Sequence, residues 1–283
     1  MDHRVSPLRG GPAMTMEMPL SPDLSFLLVL ALRMAITAAF VIAASIITER
    51  SGPVIGALVS TLPIAAGPSY VFLALDHDAA FVAQSALASL PINAASILLG
   101  ATYVLLAQRF NVVISLSAAM LVWFACALLV RSFNWTLTGG ILANVAACAI
   151  SLPLVQRFRA AKMPLIMPRW YDIPLRAVLV AALVATLVTL SSWVGPTISG
   201  IIALFPVVFT SLILILHPRI GGVATAAVLA NSAWGLIGFG FAVCVLHLAT
   251  LRFGSPAGLS LALATCVGWN LGLWWWGRRR ARA

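Results

Sequence analysis

Long unbroken apolar runs, separated by short polar punctuation, make up most of this chain. A helix crossing a bilayer needs roughly 20 mostly apolar residues, because the hydrocarbon core is about 30 Å thick. Nine runs reach that length, near 24–48, 53–75, 79–107, 112–131, 136–156, 174–194, 196–217, 221–250 and 255–277. Between them stand polar stretches such as Glu49-Arg50-Ser51-Gly52, Asp76-His77-Asp78, Arg109-Phe110-Asn111 and the segment from Arg157 to Asp172. The runs are continuous rather than alternating, so helices are predicted and a closed barrel is not. The predicted fold is an all-α polytopic membrane protein of about nine transmembrane helices. The runs at 79–107 and 221–250 are long enough to predict tilted or protruding helices. Residues 1–23 are polar and Pro-rich and predict a disordered tail. The run that follows is too long for a signal-peptide core and is expected to be a retained span.

The chain matches itself at an offset of 143 residues. Without a gap, Leu32-Arg33 falls on Leu175-Arg176, Gly52-Pro53 on Gly195-Pro196, Pro63 on Pro206, Ser89 on Ser232, Arg109-Phe110 on Arg252-Phe253 and Leu116-Ser117 on Leu259-Ser260. The expected organisation is repeat one over 24–131, a connecting span with a basic loop over 132–173, repeat two over 174–277, and a basic tail over 278–283. Four spans per unit and one connector give an odd offset of five, so the second unit is expected upside down. Inverted repeats are characteristic of secondary transporters.

Each unit carries one proline-marked segment, Gly52-Pro53 to Pro63 and Gly195-Pro196 to Pro206. Pro53 and Pro196 suit a helix start, where a missing N–H costs nothing. Pro63 and Pro206 come ten residues later, roughly 15 Å along a helix and half a bilayer deep. Each removes a backbone hydrogen bond and clashes with the carbonyl four residues back. Paired interruptions at matching positions point to a midplane substrate site, although packing kinks would leave the same trace. The residues expected to bind substrate are Pro63, Pro206, Ser60, Thr61, Thr210, Asn93, Asn231 and Arg33. Each polar one could equally act as interhelical glue. Arg33 lies inside the first run, where it either snorkels to the surface or contacts an anion. All seven acidic residues sit at run ends or in loops, so no proton-relay carboxylate is expected at mid-membrane.

Composition narrows the class further. Hydrophobic residues make up 62% and charged residues 8%, which excludes a soluble globule. The net charge of +10 reflects basic loops and tails, and no segment is long enough for a groove-reading domain, so nucleic acid is not an expected partner. Arg4, Arg9, Arg131 and Arg252 fall on one side of the nine-span topology. Arg50, Arg109, Arg157, Arg159, Lys162, Arg169, Arg176, Arg219 and the arginines of 278–282 fall on the other. This asymmetry predicts an N-terminus outside and a C-terminus in the cytoplasm; the expected location is the bacterial inner membrane. The four cysteines lie in apolar runs without C-x-x-C spacing, and the four histidines are scattered. No metal, cofactor or catalytic site is expected. The pairs Gly52-x-x-x-Gly56 and Gly268-x-x-x-Gly272 would seal either the two halves or a homodimer.

Gly195, Gly200, Leu204-Phe205-Pro206, Arg219-Ile220-Gly221 and Trp234 resemble the pattern of the small GlpM-type inner-membrane proteins, a four-helix family of unknown function. The resemblance covers about 176–277 and more faintly 33–131, and implies architecture only, in an internally duplicated form. The functional expectation is a transporter or flippase for a small polar or anionic molecule. The alternative is a non-transporting scaffold or assembly factor, which would pack without a cavity.

Overall fold

The computed structural model describes residues 22–50, 63–159 and 169–280, and every regular element among them is helical. The elements are α1 (Pro22–Arg50), α2 (Ala66–Asp76), α3 (Ala79–Leu106), α4 (Val112–Ser132), α5 (Leu137–Gln156), α6 (Asp172–Ala203), α7 (Val207–Phe253) and α8 (Ser255–Arg280). Six helices are long and apolar enough to cross a membrane, counting Asp172–Phe253 as one continuous stretch. The chain is a multi-pass membrane protein of the all-α class.

Local chemistry explains where the helices begin and bend. The side chains of Asp78, Asn111 and Thr136 accept from the backbone N–H of Phe81, Ile114 and Gly139, which caps α3, α4 and α5. Two breaks fall within the long apolar stretch, at Gly195 (φ 75°, ψ 178°) and Gly221 (φ 79°, ψ 167°). That region of backbone space is open essentially to glycine alone. Gly195 divides α6 into 172–194 and a short half-helix 196–203. Gly221 divides α7 into 207–220 and 222–253. The expected span 196–217 is therefore not one kinked helix. It is interrupted at 204–206, where Leu204 and Pro206 leave helical geometry. The matching Pro63 also lies outside a helix, and α2 begins three residues after it. The half-helix expected to precede Pro63 lies outside the described residues.

Two ion pairs fix how far these segments reach. Asp172 at the start of α6 accepts from Arg219 near the end of 207–220, through bonds of 2.7 and 2.5 Å. Residues 172–194 span roughly 33 Å at about 1.5 Å per residue. The chain from 196 to 219 therefore recrosses the same thickness despite its break. Arg33 of α1 likewise pairs with Asp76 at the end of α2. The next residue, His77, bonds Ser191 near the end of 172–194 at 2.8 Å. Arg33 thus lies level with the end of 172–194, while Val41 further along α1 packs in one cluster with Ala177 and Val180 near the start of that helix, so these two helices run antiparallel.

α3 is the centre of the bundle. It packs against α4, α5, α6 and α7, and 72% of its most apolar window is buried, against 22% for α4. Lipid offers no hydrophobic driving force between helices, so small residues that allow close approach decide the packing. The buried face of α3 is accordingly rich in alanine and serine. Ala83, Asn93 and Ala107 of α3 meet His247, Leu236 and Gly222 of α7 in that order, an antiparallel crossing. α5 lies beside it, with Asn144 donating to the Leu90 carbonyl and accepting from Asn93, both at 2.8 Å.

Candidate functional site

The two proline breaks come together. Pro63 with Ile64, Ala65 and Ala66, and Ala203 to Pro206, line one cavity of about 320 Å³. α3 contributes Asn93 and Ser96. The second part of α7 contributes Asn231, Ser232, Trp234 and Phe239, and α8 contributes Asn270. The volume is at the lower end of the range for small-molecule sites. Among the described lining residues none is charged.

The wall is held by hydrogen bonds in which the helices brace one another. Asn93 Nδ2 donates to Asn144 Oδ1 at 2.8 Å and to the Leu236 carbonyl at 3.0 Å, while its buried Oδ1 has no hydrogen-bond partner among the described residues. Ser89 donates to the Gly200 carbonyl at 2.8 Å, and Tyr70 bonds Ser89 in turn at 2.6 Å. This chain ties α2, α3 and the half-helix 196–203 together just outside the cavity. α7 begins at Pro206 with no side-chain cap, and α2 begins at Ala65 with none either. Two positive helix ends therefore open at the cavity wall.

A larger cavity of about 390 Å³ adjoins it, sharing Pro63, Ala66 and Phe239. Its polar groups are engaged elsewhere: Thr37 donates to the Arg33 carbonyl and Tyr70 bonds Ser89. It offers an apolar surface and little to orient a polar ligand, so the smaller cavity is the better site.

Of the residues expected to bind substrate, the structure brings Pro63, Pro206, Asn93 and Asn231 together. Ser60 and Thr61 lie outside the described residues. Thr210 does not line the cavity. Its hydroxyl donates to the Pro206 carbonyl at 2.8 Å, a local bond one turn back along α7. Arg33 does not line the cavity. Its guanidinium forks onto Asp76, with one bond of 2.6 Å, and lies 5.5 Å from the centre of the Phe72 ring. At the other corner Tyr171 sits outside the spans. Its phenol is held below the usual tyrosine range by Arg169, whose Nη1 donates to it at 2.8 Å, and by Arg219.

Sequence reasoning missed Arg159, which does not itself line the cavity but holds one of its wall residues, Asn231. It follows α5, is half-buried, and its Nε donates to Asn231 Oδ1 at 2.9 Å. It also missed the aromatic part of the wall, Phe205, Phe209, Trp234 and Phe239. Among the described residues no three His, Cys, Asp or Glu side chains cluster as a metal site would require. No family model matches the chain, and no curated protein or solved structure matches it either.

Proposed function

We propose that this protein is a small-molecule carrier or flippase of the bacterial inner membrane, built as an inverted repeat around the cavity between Pro63 and Pro206. The observation that carries the reading is that one interruption from each half of the chain lines the same partly polar cavity. Interrupted helices meeting at a repeat interface are how many secondary transporters form a substrate site.

The proposed repeat draws support from the turns. Asp78 and Asn111 cap helices in the first unit, and the residues 143 further on are Gly221 and Gly254, each at a positive φ where a helix restarts. Inversion is favoured by the antiparallel crossings of α1 with 172–194 and of α3 with 222–253. Asn93 bonds Leu236, its own counterpart at the offset of 143, as a residue beside a twofold axis must. Under this reading the basic side of the nine-span topology is cytoplasmic. The GlpM-type likeness of the second half is part of the same proposal, because Leu204-Phe205-Pro206, one of its signatures, forms the break.

The test is access. In a variant lacking the four native cysteines, Ser232→Cys is exposed to a membrane-impermeant maleimide in intact cells and in inverted vesicles. A carrier's site reacts from both faces. Reaction from one face only, or from neither, removes the carrier reading and leaves a scaffold.

A further inference from the structure

The cavity wall is uncharged, but one cation is fastened to its rim. Arg159 is clamped to Asn231 at two points. Its Nε donates to Asn231 Oδ1 at 2.9 Å, and its carbonyl accepts from Asn231 Nδ2 at 3.3 Å. Asn231 Nδ2 also donates to the Ala227 carbonyl of its own helix at 2.9 Å, so the amide is fixed before Arg159 meets it. The clamp uses only the Nε edge of the guanidinium. Its two η nitrogens make no hydrogen bond to any described residue.

Among the described residues no carboxylate pairs with this charge. The guanidinium–carboxylate pairs among the described residues use Arg33 and Arg219. Asp78 caps α3, and the stretch 160–168 that follows Arg159 contains no acidic residue. A guanidinium with free donors beside an uncharged cavity attracts an anion through charge-assisted hydrogen bonds. The open edge of a guanidinium is a planar fork that suits a carboxylate's two oxygens. Beyond the rim the wall turns aromatic and aliphatic, with Phe205, Phe209, Trp234 and Phe239.

We propose that the site takes a small amphipathic monocarboxylate, its carboxylate held by Arg159 and its apolar body lying against the aromatic wall. This rests on the carrier reading above and names its substrate class. Arg159 is the binding residue, and Asn231 is a positioning residue that aims it.

The same Ser232→Cys variant provides the test, with benzoate and its uncharged isostere benzamide as probes at matched ionic strength. Benzoate slows maleimide labelling and benzamide does not. Adding Arg159→Gln weakens the benzoate protection about tenfold or more, the loss expected for one charge-assisted contact. Arg159→Lys keeps the charge but loses the fork and the Nε clamp, so it retains more protection than Arg159→Gln and less than the parent, which guards against a folding artefact. Adding Asn231→Ala weakens it by less than Arg159→Gln does, because the charge remains and only its aim is lost. Equal protection by benzamide, no protection by benzoate, or full protection surviving in Arg159→Gln overturns the assignment while the carrier reading stands. A Ser232→Cys variant that reacts from one face only, or from neither, ends both.

Discussion

Gly200→Ala tests the packing that holds the half-helix 196–203 against α3. A Cβ built at Gly200 would lie 2.1 Å from the Ser85 carbonyl oxygen, and such contacts are essentially never below 3.0 Å. The half-helix and α3 must then separate by about 0.9 Å, the difference of those two distances. The obstacle is backbone, so no side chain can rotate out of the way. Overpacking of this kind costs about 1–3 kcal/mol. The displacement also stretches the bond from Ser89 to the Gly200 carbonyl, now 2.8 Å, worth about 1 kcal/mol. Together the loss is about 2–4 kcal/mol. The control is Gly100→Ala, where a Cβ meets nothing within 4 Å. There the better helix propensity of alanine leaves stability unchanged or higher by up to about 1 kcal/mol. Equilibrium unfolding in mixed dodecylmaltoside–SDS micelles measures both. If Gly200→Ala unfolds within 0.5 kcal/mol of the parent, a margin at which overpacking is absent, the half-helix is not seated on α3 as described.

Asn93→Ala removes two donated bonds at the centre of the bundle and is expected to cost about 1 kcal/mol in the same assay, since interhelical bonds in membranes are individually weak; a neutral result would make Asn93 a cavity residue without a bracing role. Gly221→Ala forces a side chain into a glycine-only conformation and is expected to lose about 1–3 kcal/mol, whereas Gly235→Ala, with open space at its Cβ and no positive φ, is not; equal effects would refute the break at 221. In spectrophotometric titration, Arg169→Gln moves the Tyr171 midpoint upward towards the ordinary 10.0, because that change deletes the first of the groups stabilising the phenolate; an unmoved midpoint refutes the contact. Asp172→Arg and Arg219→Asp each loosen the corner they share, and the two together restore it; a double variant no more stable than either single one refutes a direct pair.

The helices were legible because their signals are local. An apolar run declares a span, and a capping Asp or Asn, or a glycine where a helix must restart, declares its end. The proline breaks were legible for the same reason, since a missing N–H acts on its own turn. The depth of the interruption was not, because nothing in 204–206 distinguishes a bend from a full exit from helical geometry. Contacts between distant segments left no trace. Arg33 meets Asp76 across 43 residues, and an arginine within an apolar run reads alike whether it snorkels, binds or pairs. Arg159 meets Asn231 across 72 residues, and in the sequence it is one more basic loop residue that sets orientation. Thr210 is the opposite case. It lies four residues after Pro206, close enough to bond that carbonyl, and a polar residue near a break need not face the cavity.

The two ion-paired corners bring together the fold, the charge rule and the proposed inversion. In each half the first long helix is tied to the far end of the interrupted one, but the polarity is reversed. The interrupted segment ends in Asp76 in one half and in Arg219 at the matching place in the other. If the halves are inverted, those ends face opposite sides of the membrane. The orientation rule favours a basic residue only on the cytoplasmic side, which suits Arg219 there and Asp76 outside. A tie of the same design then requires the partner on the first helix to change sign as well. It does: Arg33 serves Asp76, and Asp172, one turn before Arg176 in the chain, serves Arg219. Arg176 is the residue at the offset of 143 from Arg33, and Asp172 feels the charge of both Arg176 and Arg219. Under the proposed inversion, the exchange of both members of the pair follows the charge rule.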